Sequence, residues 1–539
     1  MKMFIQTNPL NTLKKLINSN LINKNKLEKL HKNFIFYDVK MIIELSLFIA
    51  LIVLLIYRQI RKKSSYFVDR NVKYDKFVPV LGTFKDAFLR KKSFFEVISE
   101  VHNKSKENRI FDSNNPAFMV RDPDILKQIT VKELDHFVNH RKMFDGENTG
   151  LFGMSLFIMR DQKWKDMRSI LSPAFTGSKM RLMFDLVREV SEQASNYLKN
   201  HKGLTNGIDL DAKDFFSRYT NDVIASTAFG IKIDSMVDRN NDFYEMGTLV
   251  TNFSLIQILK LFILFVIKFF KKNFKMTIFP QKCDDYFIKL VADSMKFRKE
   301  NNVVRNDVIN ILMEAKEKSG KEWTDEELTA QCFLFFLAGF ESVSTVMQFA
   351  AYELVVNQSI QKRLIREIEE VKKDLNGKPL TYEVLNGMKY LDAVVNEALR
   401  KWPSAPSMDR ECNEDIVLED PKGEGIYIPV AGIHRNPKYY PNPDVFDPNR
   451  FLENSEIVNE YYFIPFGAGP RKCIASRFAL METKSILFYL LSEFSLRKSE
   501  KTQFPLVLDN SSFSVKAKDG CWVKIYPNNT EEHEQWMQE

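Results

Sequence analysis

No two of the five cysteines, Cys283, Cys332, Cys412, Cys473 and Cys521, stand in CxxC spacing, and their number is odd. That scatter gives no support to a disulfide framework or a zinc site. It suits a reducing compartment, where a lone thiol can serve as ligand or nucleophile. No period of about 20–50 residues recurs, which sets solenoids and propellers aside. No GxGxxG opens a βα unit, so the chain carries no dinucleotide fingerprint of its own. The net charge of +8 is also less than it looks, because residues 1–40 hold eight Lys against Glu28 and Asp38, a net of +6 that leaves +2 for all the rest. That remainder has no basic stripe interleaved with aromatics, which argues against a nucleic-acid partner.

What is present is apolar. Hydrophobic residues make up 45% of 539, enough for a large core. Residues 41–57, MIIELSLFIALIVLLIY, form a nearly continuous apolar run succeeded at once by Arg58, Arg61, Lys62 and Lys63. Its length is at the lower edge for spanning a bilayer, and the basic flank predicts that the chain beyond it stays cytosolic. A buried core helix is the alternative, but core helices seldom adjoin a basic cluster, and no small-residue pattern marks a cleaved signal. The Asn/Lys-rich residues 1–40 lack Arg and make a poor transit peptide; Met41 is a natural start, so they read as a dispensable leader. Residues 58–75 read as a basic linker and 528–539 as a polar tail. A second apolar stretch, Leu255 to Phe270, contains Lys260 and Lys268, which favours a helix lying in the membrane interface over a span.

From about Tyr74 the chain reads mostly as helices. Thr324 and Glu327 form a capping box that opens a long apolar segment reaching about Asn357, a helix predicted to cross the core. Further helices are predicted around Gln361–Leu375, ended by Asn376-Gly377, and from about Tyr390 to Lys401, stopped by Pro403. The last long helix is predicted to begin near Ile474.

Directly before it stands Phe466-Gly467-Ala468-Gly469-Pro470-Arg471-Lys472-Cys473. Glycines let backbone turn tightly and approach a flat cofactor. A thiol at a helix start faces free N–H groups, which lower its pKa and favour an anionic sulfur ligand. Arg471 projects from the same loop and can neutralise a carboxylate. A lone Cys in such a loop could be a structural thiol, the reading preferred for Cys332; the spacing Phe-x-x-Gly-x-Arg-x-Cys is much more specific. Trp164 and Arg168 lie one helical turn apart and can grip one anionic group. Glu397 and Arg400 share a helix face among apolar neighbours, with Arg450 a candidate third partner. In the central helix, Gly339, Glu341 and Ser342 interrupt an apolar wall, a local defect that points to function.

The ordered set WKDMR, AGFES, EALR, DPNRF and FGAGPRKCIA resembles the cytochrome P-450 superfamily over residues 76 to about 527. The stretches LFGMSLFIMRDQKWKDMRSILSPAFTGSKMRLMF and GIHRNPKYYPNPDVFDPNRF resemble insect microsomal members, particularly family nine of the xenobiotic-metabolising clan. The resemblance implies a mainly α fold with small β-sheets and haem b (iron protoporphyrin IX) as cofactor. It implies Cys473 as axial ligand, Phe466 among the cofactor contacts, and Trp164, Arg168, Arg410 and Arg471 on the haem propionates. Glu341 and Ser342, beside Gly339, would be the acid–alcohol pair that supplies protons, and Glu397, Arg400 and Arg450 a structural triad behind the haem. Four departures stand out: Ala475 where Gly is usual, Ser342 where Thr is usual, a hinge with only Pro79, and a shortened segment from Cys412 to Ile428 that puts part of a sheet in doubt.

The implied activity is insertion of one oxygen atom from dioxygen into a lipophilic small molecule. Both electrons come from outside, from an NADPH-dependent membrane reductase with cytochrome b5 as a helper, at the cytosolic face of the endoplasmic reticulum membrane. Two rivals are a haem-thiolate isomerase or dehydratase, which would not need Glu341 and Ser342, and a non-catalytic carrier of apolar ligands.

Overall fold

A computed structural model describes the chain from residue 43 onward, except scattered positions between 45 and 56, residues 105–108, 113–114, 142–149, 252–276, 319–322, 414–424 and 453–460, and Val80, Asn306 and Phe513. The chain divides into two units, Met1–Val72 and Lys73–Glu539. In the first, the described residues between 43 and 64 are helical, and Ile43, Leu47, Leu51, Leu54 and Leu55 are exposed.

The second unit is mainly helical. Its α-helices of ten residues or more, among the described residues, are α1 (Phe94–Lys104), α2 (Asp161–Leu171), α3 (Gly177–Lys199), α4 (Ala212–Ile224), α5 (Asp242–Thr251), α6 (Gln281–Asn301), α7 (Val308–Lys318), α8 (Asp325–Val356), α9 (Gln358–Leu375), α10 (Lys389–Lys401) and α11 (Ser476–Leu491). Two small sheets accompany them. One has the order β1 (Arg109–Asp112), β2 (Asn115–Met119), β5 (Gly425–Ile428), β4 (Met408–Glu411); the other β3 (Ile208–Asp211), β7 (Trp522–Pro527), β6 (Phe494–Arg497).

Helix α8 organises the core. Thr324 is its N-cap: Glu327 N donates to Thr324 Oγ1 (3.1 Å), and Thr324 N donates back to Glu327 Oε2 (3.0 Å). The box satisfies two of the amide groups that a helix start leaves unpaired. The helix is apolar on most faces and accordingly packs on all sides, against α4, residues 151–154, α6, α10 and α11. It is the one helix among the described residues long and apolar enough to cross a membrane, but most of that length is buried in the core.

Two apolar clusters meet along α8. One gathers α3, α4, α9, α10, α11 and the C-terminal half of α8; the other gathers α2, α5, α6, α7 and its N-terminal half. Phe335 on α8 and Ile474, next to Cys473, pack against both. The Cys loop therefore sits at the seam between them.

Boundaries shift where caps are shared. Asn357 closes α8 and opens α9, so α9 begins at Gln358 rather than Gln361. Asn376 (φ 46°) and Gly377 (φ 81°) then end it in the left-handed region, as their residue types predict. The last long helix starts at Ser476, two residues later than expected, because Ile474 and Ala475 form a turn. The polar tail is not loose: Glu531–Gln538 is a helix capped by Thr530, with Trp536 and Met537 packed on the core. Residues 414–424, within the shortened segment, lie outside the described residues, as do residues 1–40 and the stretch Leu255 to Phe270. Strand β5 still pairs along its whole length with β4, from Met408↔Ile428 to Glu411↔Gly425.

Candidate functional site

The loop before α11 is closed on itself. Cys473 N donates to Phe466 O (2.7 Å), Gly467 N to Ile464 O (3.1 Å) and Lys472 N to Gly469 O (3.0 Å). Gly469 has φ 68°, and a Cβ there would run into the backbone oxygen of Thr130, so only glycine fits. At position 475 the backbone has φ −99°, which Ala adopts without strain; the departure from Gly costs nothing in conformation.

Cys473 is accessible to solvent although it lies deep among protein atoms. Burial raises its pKa, and the opposing influences, the Ala475 N–H and the Arg168 guanidinium, do not offset it. The sequence predicts the opposite, a pKa lowered by the helix start. The N–H of Ala475, the N-cap of α11, does act in the predicted direction, but burial outweighs it.

Three guanidinium groups gather near this loop. Arg168, on α2, hydrogen-bonds through its side chain to no described residue and is close enough to Cys473 to favour the thiolate. Arg410, on β4, is buried; Nη1 donates to Asp409 O (2.6 Å), and Nε has no partner among the described residues. Arg471 donates to three carbonyls, from Nε to Val138 O (2.7 Å), Nη1 to Leu156 O (3.3 Å) and Nη2 to Met159 O (2.7 Å). It also lies over the Trp164 ring, 4.2 Å from the centroid. Burial first, then Arg410, Arg168 and Arg160, push Arg471 down to about 9. No carboxylate hydrogen-bonds to Arg168, Arg410 or Arg471 among the described residues. An orphaned Nε, unspent guanidinium N–H groups and an accessible thiol beside a glycine turn suit a flat ligand bearing carboxylates, as haem does.

The expected triad is brought together. Arg400 Nε donates to Glu397 Oε2 (2.6 Å) and Nη2 to Oε1 (2.8 Å), both side chains being fully buried. Arg450 Nε lies 3.5 Å from Glu397 Oε1, and the Asp447 N–H donates to the same oxygen (2.8 Å). Arg400 Nη1 further donates to His434 O (2.9 Å), so the group fastens α10 to the loop leading to Cys473.

Glu341 and Ser342 diverge. Ser342 Oγ donates to Ala338 O (2.6 Å), and Ala338 is exposed although it lies midway along a core helix. Glu341 turns to the other side, where Lys213 Nζ donates to Oε2 (3.0 Å) and Ser514 Oγ to Oε1 (3.1 Å). A cavity of about 310 Å³ opens beside Glu341, Lys213 and Ser514. Gly339 also has a reason other than the one expected. The helix runs unbroken through it, and a Cβ there would meet Ile224 Cδ1 at 2.8 Å; the glycine lets α4 approach α8 closely.

Sequence reasoning missed Lys213, since a lysine in the first turn of an ordinary helix carries no signal. It also missed a buried network beside Arg410. His140 Nδ1 and Asp409 Oδ1 are 2.9 Å apart, Arg141 N donates to Asp409 Oδ2 (2.9 Å), and Arg141 Nη2 donates to Tyr427 Oη (2.6 Å). His140 and Asp409 are separated by 269 residues, which no spacing rule reaches.

The cytochrome P450 family model matches residues 73–522. The chain belongs to the cytochrome P450 family and is an enzyme of that monooxygenase class, whose cofactor is haem. It is 45% identical over 507 residues to a Drosophila melanogaster protein named "Probable cytochrome P450 9f2", covering 89% of this chain and 98% of that one. It is 37% identical to cytochrome P450 9c1 of the same species, over 90% of this chain and 98% of that one, and 39% identical to cytochrome P450 9e2 of Blattella germanica, over 88% and 96%.

Proposed function

We propose that this chain is a membrane-anchored haem-thiolate monooxygenase of the endoplasmic reticulum, its catalytic domain facing the cytosol. Cys473 holds the iron of haem b. Trp164, Arg168, Arg410 and Arg471 hold the propionates, with Phe466 at the loop entrance. When bound, the haem supplies an iron centre at which dioxygen is reduced, the thiolate favouring O–O cleavage. The protein's own groups do the rest. The guanidinium groups neutralise the propionates and the Ser342 hydroxyl hands a proton on; Glu341, whose carboxylate accepts from Lys213 and Ser514 on the other side of the helix, would have to leave those partners to resupply it. Glu397, Arg400 and Arg450 brace the loop from behind. Substrates are lipophilic small molecules, xenobiotics or endogenous lipids. Electrons come from an NADPH-dependent reductase, with cytochrome b5 as a helper. Residues 41–57 are the anchor, 58–75 the linker and 76–527 the catalytic domain.

The observation that carries this reading is an accessible thiol on a glycine turn beside three guanidinium groups that no carboxylate engages among the described residues. Cys473→Ala should abolish the strongly red-shifted Soret band of the reduced carbon-monoxide complex. A variant that keeps the band, while Cys332→Ala or Cys412→Ala loses it, overturns the ligand assignment. A haem-thiolate isomerase or a silent carrier would retain the band but would not consume NADPH when reductase and substrate are supplied.

A further inference from the structure

Arg471 is a cation with no carboxylate partner among the described residues, so its direction is set by the three carbonyls it touches. Two of them, Leu156 O and Met159 O, belong to one short turn. That turn is closed by Ile158 N donating to Ser155 O (3.0 Å), Met159 N to Ser155 O (2.9 Å) and Ser155 Oγ to Phe152 O (2.7 Å). Leu156 and Met159 are buried in the apolar cluster around the N-terminal half of α8, and one polar side chain on α8 hydrogen-bonds the turn's backbone.

Gln331 is fully buried. Its Oε1 accepts from Leu156 N (2.7 Å), and its Nε2 donates to Met154 O (3.1 Å) and, one turn back along α8, to Glu327 O (2.8 Å). The carboxamide thus uses an acceptor and both donors at once, a combination that among residues of this size only glutamine supplies. We infer that Gln331 is a positioning residue for the haem site: through the 154–159 turn it fixes the carbonyls that aim Arg471, and so sets how the remaining guanidinium N–H groups meet a propionate. Three of the five N–H groups of Arg471 are spent on carbonyls, which leaves two for the anion. This inference rests on the assignment of Arg471 to a propionate.

The test uses the full-length holoprotein. Gln331→Met keeps volume and loses all three hydrogen bonds; Gln331→Glu keeps the acceptor for Leu156 N–H and loses both donations. Both should release haem to an excess of apomyoglobin about tenfold faster than the parent, at a temperature where all are fully folded. The propionate bending bands in resonance Raman spectra should shift. Ser191→Ala is the control, since it removes a buried hydroxyl bonded to Tyr219 and Ser485 far from the turn. It should lower the melting temperature without changing haem release or the bands. Haem release and Raman bands that stay at parental values in the Gln331 variants, with only the melting temperature lowered, overturn the inference. Hydrogen exchange on the parent provides a test that needs no variant to fold: the Leu156 amide should be strongly protected, and rapid exchange there also overturns it. Arg471→Leu, measured alongside, separates the two levels. If it leaves haem release unchanged, the propionate assignment itself falls; if it speeds release and the Gln331 variants do not, only the role of Gln331 falls.

Discussion

At the scale of single residues, Ser342 is the position where chemistry and helix geometry are closest. Its Oγ donates to Ala338 O, the back-bond that a hydroxyl inside a helix commonly makes, which leaves the oxygen lone pairs free to accept from a water or an acid. Serine lacks the γ-methyl that stiffens threonine at χ1. Ser342→Ala should therefore raise hydrogen peroxide released per NADPH oxidised, with product formation falling more than NADPH consumption, whereas Ser342→Thr should couple as well or better. Ser344 is held by Lys213 Nζ (2.9 Å) on the far side of the helix, so Ser344→Ala should leave the ratio at its parental value. Peroxide and product assays on the three variants decide it; uncoupling by Ser344→Ala alone would move the alcohol to that residue. Ser342 stands out in the sequence as a candidate because AGFES breaks an apolar run. The divergence of Glu341 from it was not legible there, since which way adjacent side chains turn depends on Lys213 and Ser514, from other elements.

At the scale of elements, the connection between α10 and the Cys loop hangs on His434. Ile464 N–H donates to its Nε2 (2.9 Å), its backbone oxygen accepts from Arg400, and its ring stacks on Phe463. Burial, with the nearby Arg400 charge second, depresses its pKa to about 3. Between that value and the ordinary one near 6.5 the unfolded chain binds the proton and the folded chain does not, so stability is full above pH 6.5 and falls as the pH drops toward 3. Each pH unit across that window is worth about 1.4 kcal/mol. His434→Gln keeps an acceptor for Ile464 N–H and removes the titration. Its melting temperature should fall less steeply than the parent's from about pH 6.5 to about pH 5, and parallel curves would show that His434 does not titrate there. Helix caps such as Thr324–Glu327 and Asn376-Gly377 are written locally, which is why those ends were legible in the sequence. The start of α11 was not, because Ile474 and Ala475 are apolar residues that serve equally in a helix or in the turn that precedes this one.

At the scale of the whole molecule, the chain divides into two units, and the family model falls within the second. The apolar side chains of Ile43, Leu47, Leu51, Leu54 and Leu55 are exposed on a helix followed by Arg58, Arg61, Lys62 and Lys63, the pattern on which the proposed anchor rests. A chain starting at Met41 should stay with microsomes and remain active, and one starting at Lys73 should be markedly released by an alkaline carbonate wash. Equal retention of both would place attachment elsewhere. Composition located this division, because the charge and the longest apolar run fall together at one end. The candidate site was legible only as an ordered set of motifs, and the approach of Arg168 on α2, Arg410 on β4 and Arg471 in the Cys loop to one another is a tertiary fact.

The three guanidinium groups around Cys473 have a consequence for the life of the protein before it is loaded. Like charges held close in a poorly solvated place repel, and Asp409 offsets that repulsion only in part. On the proposed assignment, the incoming propionates relieve it, so ligand binding and folding draw on the same free energy. A ligand at a hundredfold excess over its dissociation constant adds about 2.7 kcal/mol to the stability of the form that binds it. Newly made chains without haem would then be the ones that open most often and meet the degradation machinery first. The amount of this enzyme in a cell would then fall when haem is scarce.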